Sequence, residues 1–166
     1  MLAIGIDPGT ASSGYGFVRQ REDGGLEAVG YGVITTPPGA PMPERLLQLH
    51  RDLSDLIALH HPDSGGVEQL FFQKNVSTAI SVGQARGVAI LVLAQAGLPV
   101  SEYSPREIKQ AIVGYGGADK RQVQEMIRVL LCLESSPKPD DAADALAVAI
   151  CHLHSSQLRK RLERAE

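Results

Sequence analysis

Tryptophan is absent from this 166-residue chain, cysteine occurs only twice, and all aromatic residues together make up 4%. Two cysteines cannot build a disulfide framework. Cys132 and Cys151 each sit in a helical apolar pattern and are expected as small core residues rather than a disulfide or metal pair. Positive charge is not in excess: a formal charge of −3 gives no sign of nucleic-acid binding by bulk charge. No apolar run approaches the roughly 18 residues of a membrane span. The N-terminus lacks the basic segment, apolar stretch and small-residue cleavage site of a signal peptide. A cytoplasmic setting without membrane contact is therefore expected. Internal repeats and long linkers are missing as well. The expectation is one domain over 1–156, followed by a basic helix end or tail over 157–166.

What the chain does have is an ordinary globular balance of 43% hydrophobic and 21% charged residues. Its length suffices to bury roughly two-thirds of the unfolded surface. Residues 2–7 read as a buried strand, Ser13 to Val18 as a second and Leu26 to Thr36 as a third, joined by turns at Pro8-Gly9-Thr10 and Glu22-Asp23-Gly24-Gly25. The proline-rich segment Thr36 to Pro43 predicts a loop. Leu46, Leu49, Leu53, Leu56 and Ile57 then predict a helix over Glu44–His60. Further on come a strand at Gly65–Leu70, a helix at Val76–Ala96, a strand at Val100–Tyr103, and a short helix from Pro105. Helices at Arg121–Leu133 and from about Asp140 complete the chain. The order β-β-β-α-β-α-β-α-α-α predicts an α/β fold with a five-stranded mixed sheet flanked by helices, wired as in ribonuclease H-like proteins.

Four acids stand in poor places for stability: Asp7 at the end of an apolar strand, Glu68 beside Val67 and Leu70, and Asp141 and Asp144 at the start of an alanine-rich helix. An ionised carboxylate near a core must be paired, hydrogen-bonded or metal-bound. Asp141 and Asp144 lie three apart, hence on one helix face. Asp140 reads instead as the helix N-cap. Asp7 taken alone serves equally as a turn former before Pro8-Gly9; the combination favours function. Hard carboxylate oxygens suit Mg²⁺ or Mn²⁺, and two such ions per site would support phosphodiester hydrolysis. They would also move the formal charge from −3 to about +1. Histidine is a poor competitor, since His50, His60 and His61 belong to one helix and His152 and His154 to another.

Around these acids, Phe71-Phe72 follows the Glu68 strand, where an aromatic either stacks on an unpaired base or packs in the core. Lys74, Lys109 and Lys120 are candidate phosphate contacts, with Lys120, beside the glycine-rich loop, the best of them. Gly83, Ala85 and Gly87, with Arg86 among them, form a small-residue stretch in the helix Val76–Ala96. Mid-helix glycine costs about 1 kcal/mol relative to alanine. Close approach to a partner subunit or to the domain's own sheet would compensate, with dimerisation favoured.

In these residues the sequence resembles the RuvC-type Holliday junction resolvases along nearly its whole length. The matching segments are Gly5-Ile6-Asp7-Pro8-Gly9-Thr10, Glu68-Gln69-Leu70-Phe71 with Lys74-Asn75, and Gly83-Gln84-Ala85-Arg86-Gly87-Val88-Ala89. They continue through Ala118-Asp119-Lys120-Arg121-Gln122-Val123-Gln124 and Asp141-Ala142-Ala143-Asp144-Ala145-Leu146. The resemblance implies a ribonuclease H-like fold and a homodimeric, metal-dependent endonuclease. It also implies catalytic and metal-binding roles for Asp7, Glu68, Asp141 and Asp144, a base-probing role for Phe71, and DNA contacts at Lys109 and Lys120. The small-residue helix corresponds to the family's dimer interface. Four-way junction DNA and the RuvA–RuvB branch-migration complex are the implied partners, and 5′-phosphate and 3′-hydroxyl ends the implied products. Competing readings are a related nuclease acting on structured RNA, a sugar kinase or chaperone sharing the Asp7 loop, and a non-catalytic junction binder. A kinase of that class needs two similar lobes, and this chain has room for one.

Overall fold

The structure is a computed structural model and describes residues 1–69 and 76–163. Strands β1 (Leu2–Asp7), β2 (Ser12–Gln20) and β3 (Leu26–Thr35) form an antiparallel meander. Helix α1 (Met42–His60) carries the chain to β4 (Ser64–Glu68), and α2 (Val76–Gln95) carries it to β5 (Val100–Tyr103). Both β1–β4 and β4–β5 pair in parallel, giving the sheet order β3-β2-β1-β4-β5. Helices α3 (Pro105–Val113), α4 (Lys120–Leu130) and α5 (Asp140–Glu163) follow. This element order and mixed sheet are those expected of the ribonuclease H-like fold.

The sheet separates two cores because alternate residues of a strand face opposite ways. Ile4, Ile6, Phe17 and Val67 meet Leu49, Leu53, Ala89 and Leu93 of α1 and α2. On the other face, Ala3 and Val18 share a cluster with Ile108, Ile127, Leu146 and Ile150 of α3, α4 and α5. Helix α5 is the central one: it packs on β1, β2, β3, β4 and β5 and also on α3 and α4.

Several boundaries depart from the sequence expectation. Helix α1 starts at Met42, ahead of Glu44, because proline is tolerated in a first helical turn, where the N–H has no intrahelical acceptor. Helix α4 starts one residue early, on an Asp119–Gln122 capping box, and stops at Leu130 rather than Leu133. Cys132 follows with a left-handed φ of 52° and is exposed, so it is not a core residue; the helical face that would have buried it has already ended. Cys151 is buried, and both thiols are free. Asp140 is not the N-cap of α5 but its first residue, and its carboxylate bonds to neighbouring side chains instead.

Helix α2 also departs from the composition argument. Over Thr78–Gln95 it is long and apolar enough to cross a membrane by length and composition, although less than a third of that stretch is buried. Ala79, Ala85, Ala89, Val92 and Leu93 face the protein interior. Ile80 and Leu91 are more than half exposed, and Gln84 and Gly87 between them are exposed too. Steps of four, three and four residues place these on a single outer stripe.

Candidate active site

Pairing within the sheet brings the first two acids together. Asp7 ends β1 on the same face as Ala3 and Gly5, toward α5. The parallel β1–β4 register runs through Ile6–Val67. One further step sets Asp7 beside Glu68.

Missing Cβ atoms bring in the other two. Gly14 lies opposite Asp7 on β2, and a Cβ there would overlap the Asp141 carbonyl. A Cβ at Gly5 would overlap the backbone of Ala145 and Ala149, and one at Gly16 would press on Leu146. Ala142, Ala143, Ala145 and Ala149 are fully buried on the helix side. Small residues on both surfaces therefore let the α5 backbone rest directly on β1 and β2. That contact carries Asp141 and Asp144 to the end of β1.

Carboxylate oxygens of Asp7, Asp141 and Asp144 lie within 4.8 Å of one another. Glu68 stands outside that closest group but shares a hydrogen bond with Asp7. Burial, then the charge of Asp7 and that hydrogen bond, push the Glu68 carboxyl up to about 8. Burial and the charge of Asp144 raise Asp7 to about 6, with the Glu68 hydrogen bond opposing. Burial raises Asp144 as well, partly offset by Lys120. Desolvated carboxylates at this spacing hold protons because they cannot all remain charged. A hard divalent cation relieves the same repulsion without protonation, so the donor set fits Mg²⁺ or Mn²⁺.

Lys120, at the start of α4, reaches this cluster. Its Nζ lies 3.2 Å from Oδ2 of Asp144 and 3.0 Å from Oδ2 of Asp140. Lys120 was expected only as a phosphate contact; it is 24 residues from Asp144 in the chain, and only packing of α4 on α5 introduces the two. Sequence reasoning missed Gln124, whose Nε2 donates to Asp140 Oδ1 at 2.9 Å. The capping signal at Asp119, which fixes where α4 begins, is the one local clue to that side of the site. Lys109 and Lys120 line one cavity of about 220 Å³ with Glu68 and Asp144, its apolar wall formed by Pro105, Ile108, Val123 and Ala147. Phe71 and Lys74 lie outside the described residues.

The four residues expected at a subunit interface divide. Ala85 is fully buried inside its own chain and has no surface to offer a partner. Arg86 is turned to an ion pair with Glu102 on β5. Gly83 is half-buried, whereas Gly87 is exposed and a Cβ there would meet nothing within 4 Å among the described residues.

Residues 3–152 match the family described as crossover junction endodeoxyribonuclease RuvC. A crossover junction endodeoxyribonuclease RuvC from Chloroflexus aggregans is 59% identical over 161 residues, covering 97% of this chain and 98% of that protein. The structure of Thermus thermophilus RuvC superposes with a TM-score of 0.89 at 34% identity, covering 95% of this chain and 96% of that one. A second T. thermophilus RuvC structure, in complex with Holliday junction substrate, gives 0.87 at 31% identity with the same coverage. The chain belongs to the RuvC family of crossover junction endodeoxyribonucleases.

Proposed function

We propose that this protein resolves four-way DNA junctions by metal-dependent hydrolysis, with Asp7, Glu68, Asp141 and Asp144 as catalytic metal ligands. The observation that carries the proposal is the convergence of β1, β4 and α5 on one carboxylate cluster whose mutual repulsion favours cation uptake. Two Mg²⁺ or Mn²⁺ ions held there would supply Lewis-acid activation of water and charge neutralisation at the leaving oxygen. Asp7 and Glu68, fixed by the sheet, orient the donors from one side; Asp141 and Asp144 do so from the helix. Lys109 and Lys120 hold the scissile-strand phosphates at the cavity mouth. Phe71 probes an unpaired base and Lys74 contacts the backbone near it, roles that rest on the family resemblance alone. Hydrolysis leaves 5′-phosphate and 3′-hydroxyl ends.

The working unit is a homodimer joined through the outer stripe of α2, which is an interface between subunits and not a membrane contact. Supporting this, Gly87 incurs the cost of a mid-helix glycine although the described residues leave room for a Cβ. A two-fold dimer presents two sites to the two strands of like polarity in a junction. The protein acts in the cytoplasm with the RuvA–RuvB branch-migration complex. Asp7→Asn is expected to lower junction cleavage by at least about a hundredfold, as loss of a metal ligand should, while junction binding survives. Single-turnover cleavage and gel-shift titration on a synthetic four-way junction check it; nicking by the purified variant at the wild-type rate sinks the assignment.

A further inference from the structure

Asp140 is the acid in this neighbourhood that the proposed metal quartet does not use. It is exposed, begins α5, and is gripped by two side chains one turn apart on α4: Lys120 Nζ at 3.0 Å and Gln124 Nε2 at 2.9 Å. Residues four apart lie on one helix face, so the grip ties the start of α4 to the start of α5. Lys120 simultaneously contacts Asp144 Oδ2 at 3.2 Å. The ammonium thus bridges a member of the quartet and an acid outside it. A divalent cation recruiting Asp144 would compete with Lys120 for that carboxylate, and an ammonium drawn off it would keep Asp140 as its remaining carboxylate.

We infer that Asp140 is a positioning residue that retains the Lys120 ammonium when Asp144 turns to a metal ion, so that Lys120 yields the site without leaving it. Gln124 holds the Asp140 carboxylate in place for this exchange. Lys120 is therefore the resident counter-ion of the metal-free cluster, and Asp140 lowers the penalty of displacing it. This inference rests on the proposed metal site, and its test separates the two.

Mn²⁺ binding to the full-length protein without DNA, measured by electron paramagnetic resonance or calorimetry, provides a readout independent of cleavage. Asp140→Asn is expected to weaken Mn²⁺ binding roughly fivefold, the scale of one partly exposed ion pair. Lys120→Gln should strengthen it by a similar factor. In the Lys120→Gln background, Asp140→Asn should change affinity by less than about twofold, since there is no ammonium left to retain. Gln124→Ala should act in the same direction as Asp140→Asn but more weakly. An Asp140→Asn effect of equal size with and without Lys120 overturns the inference, because Asp140 would then act only through its own charge; so does no effect at all. If Asp7→Asn binds Mn²⁺ as tightly as wild type, the metal site itself fails, and the inference with it.

Discussion

Glu68 and Asp7 are under opposing demands from folding and chemistry. Each is largely withdrawn from water; Asp144 adds like charge beside Asp7, and Asp7 beside Glu68, so both hold protons more tightly folded than unfolded. The sign of the pH dependence follows. Between the unfolded value of 4.5 and the folded value of about 8 for Glu68, the folded protein binds more protons, and stability falls as pH rises. Metal-free protein should therefore melt at lower temperature at pH 8 than at pH 5. Divalent metal should restore more stability at the higher pH, where the cluster is most charged. Glu68→Gln should flatten the profile and stabilise the metal-free protein at pH 8 by about 1–3 kcal/mol, several degrees of Tm, while cleavage is lost. Thermal melts in chelator across this range check the sign; a metal-free Tm that climbs with pH contradicts it. At this scale the sequence was informative, because an acid amid apolar neighbours is visible without coordinates. The Lys120–Asp140–Gln124 contacts were not, because each looks like an ordinary surface residue until α4 and α5 meet.

At the scale of elements, the decisive contact is α5 lying bare against β1 and β2. Gly5, Gly14 and Gly16 on the strands face a helix rich in alanine, and the glycine positions leave no room for a methyl group. Gly14→Ala should push the start of α5 away from β2, with an overpacking penalty of about 2–3 kcal/mol. Asp141 moves with that backbone, so Mn²⁺ affinity should fall together with the melting temperature. Wild-type affinity in this variant would show that the helix seat does not set the site. Helix α2 behaves differently. Its inner face is committed to the core through Ala85 and Leu93, whereas its outer stripe has no covering element among the described residues. The periodic small residues foretold close packing of α2 without saying which face would do it. Ala85 turned inward and Gly87 outward, a distinction that depends on helix rotation against the sheet.

For the whole molecule, the proposed dimer makes paired strand cleavage depend on joining two such units. Leu91→Glu places a charge in the exposed stripe without touching the core, so the fold should persist. The dimer should weaken by at least about tenfold, since an unpaired carboxylate would be desolvated at the interface. Sedimentation at micromolar concentration should find monomers. A supercoiled plasmid carrying an extruded four-way junction should then accumulate nicked circles in place of linear product. Coupled linearisation by this variant would remove α2 from the interface.

The sequence by itself determined the order of the ten described elements and the mixed sheet and singled out the four acids, because hydrophobic periodicity and carboxylate placement are local properties; the family came from motif resemblance. Tertiary structure alone decided that Glu68 sits beside Asp7, that Lys120 reaches Asp144, that Asp140 is bound by α4 instead of capping α5, and that Cys132 faces solvent. Each depends on how separate elements dock or where one stops. Docking is set by complementary surfaces, here glycine on strands against alanine on a helix, which no single stretch of sequence contains.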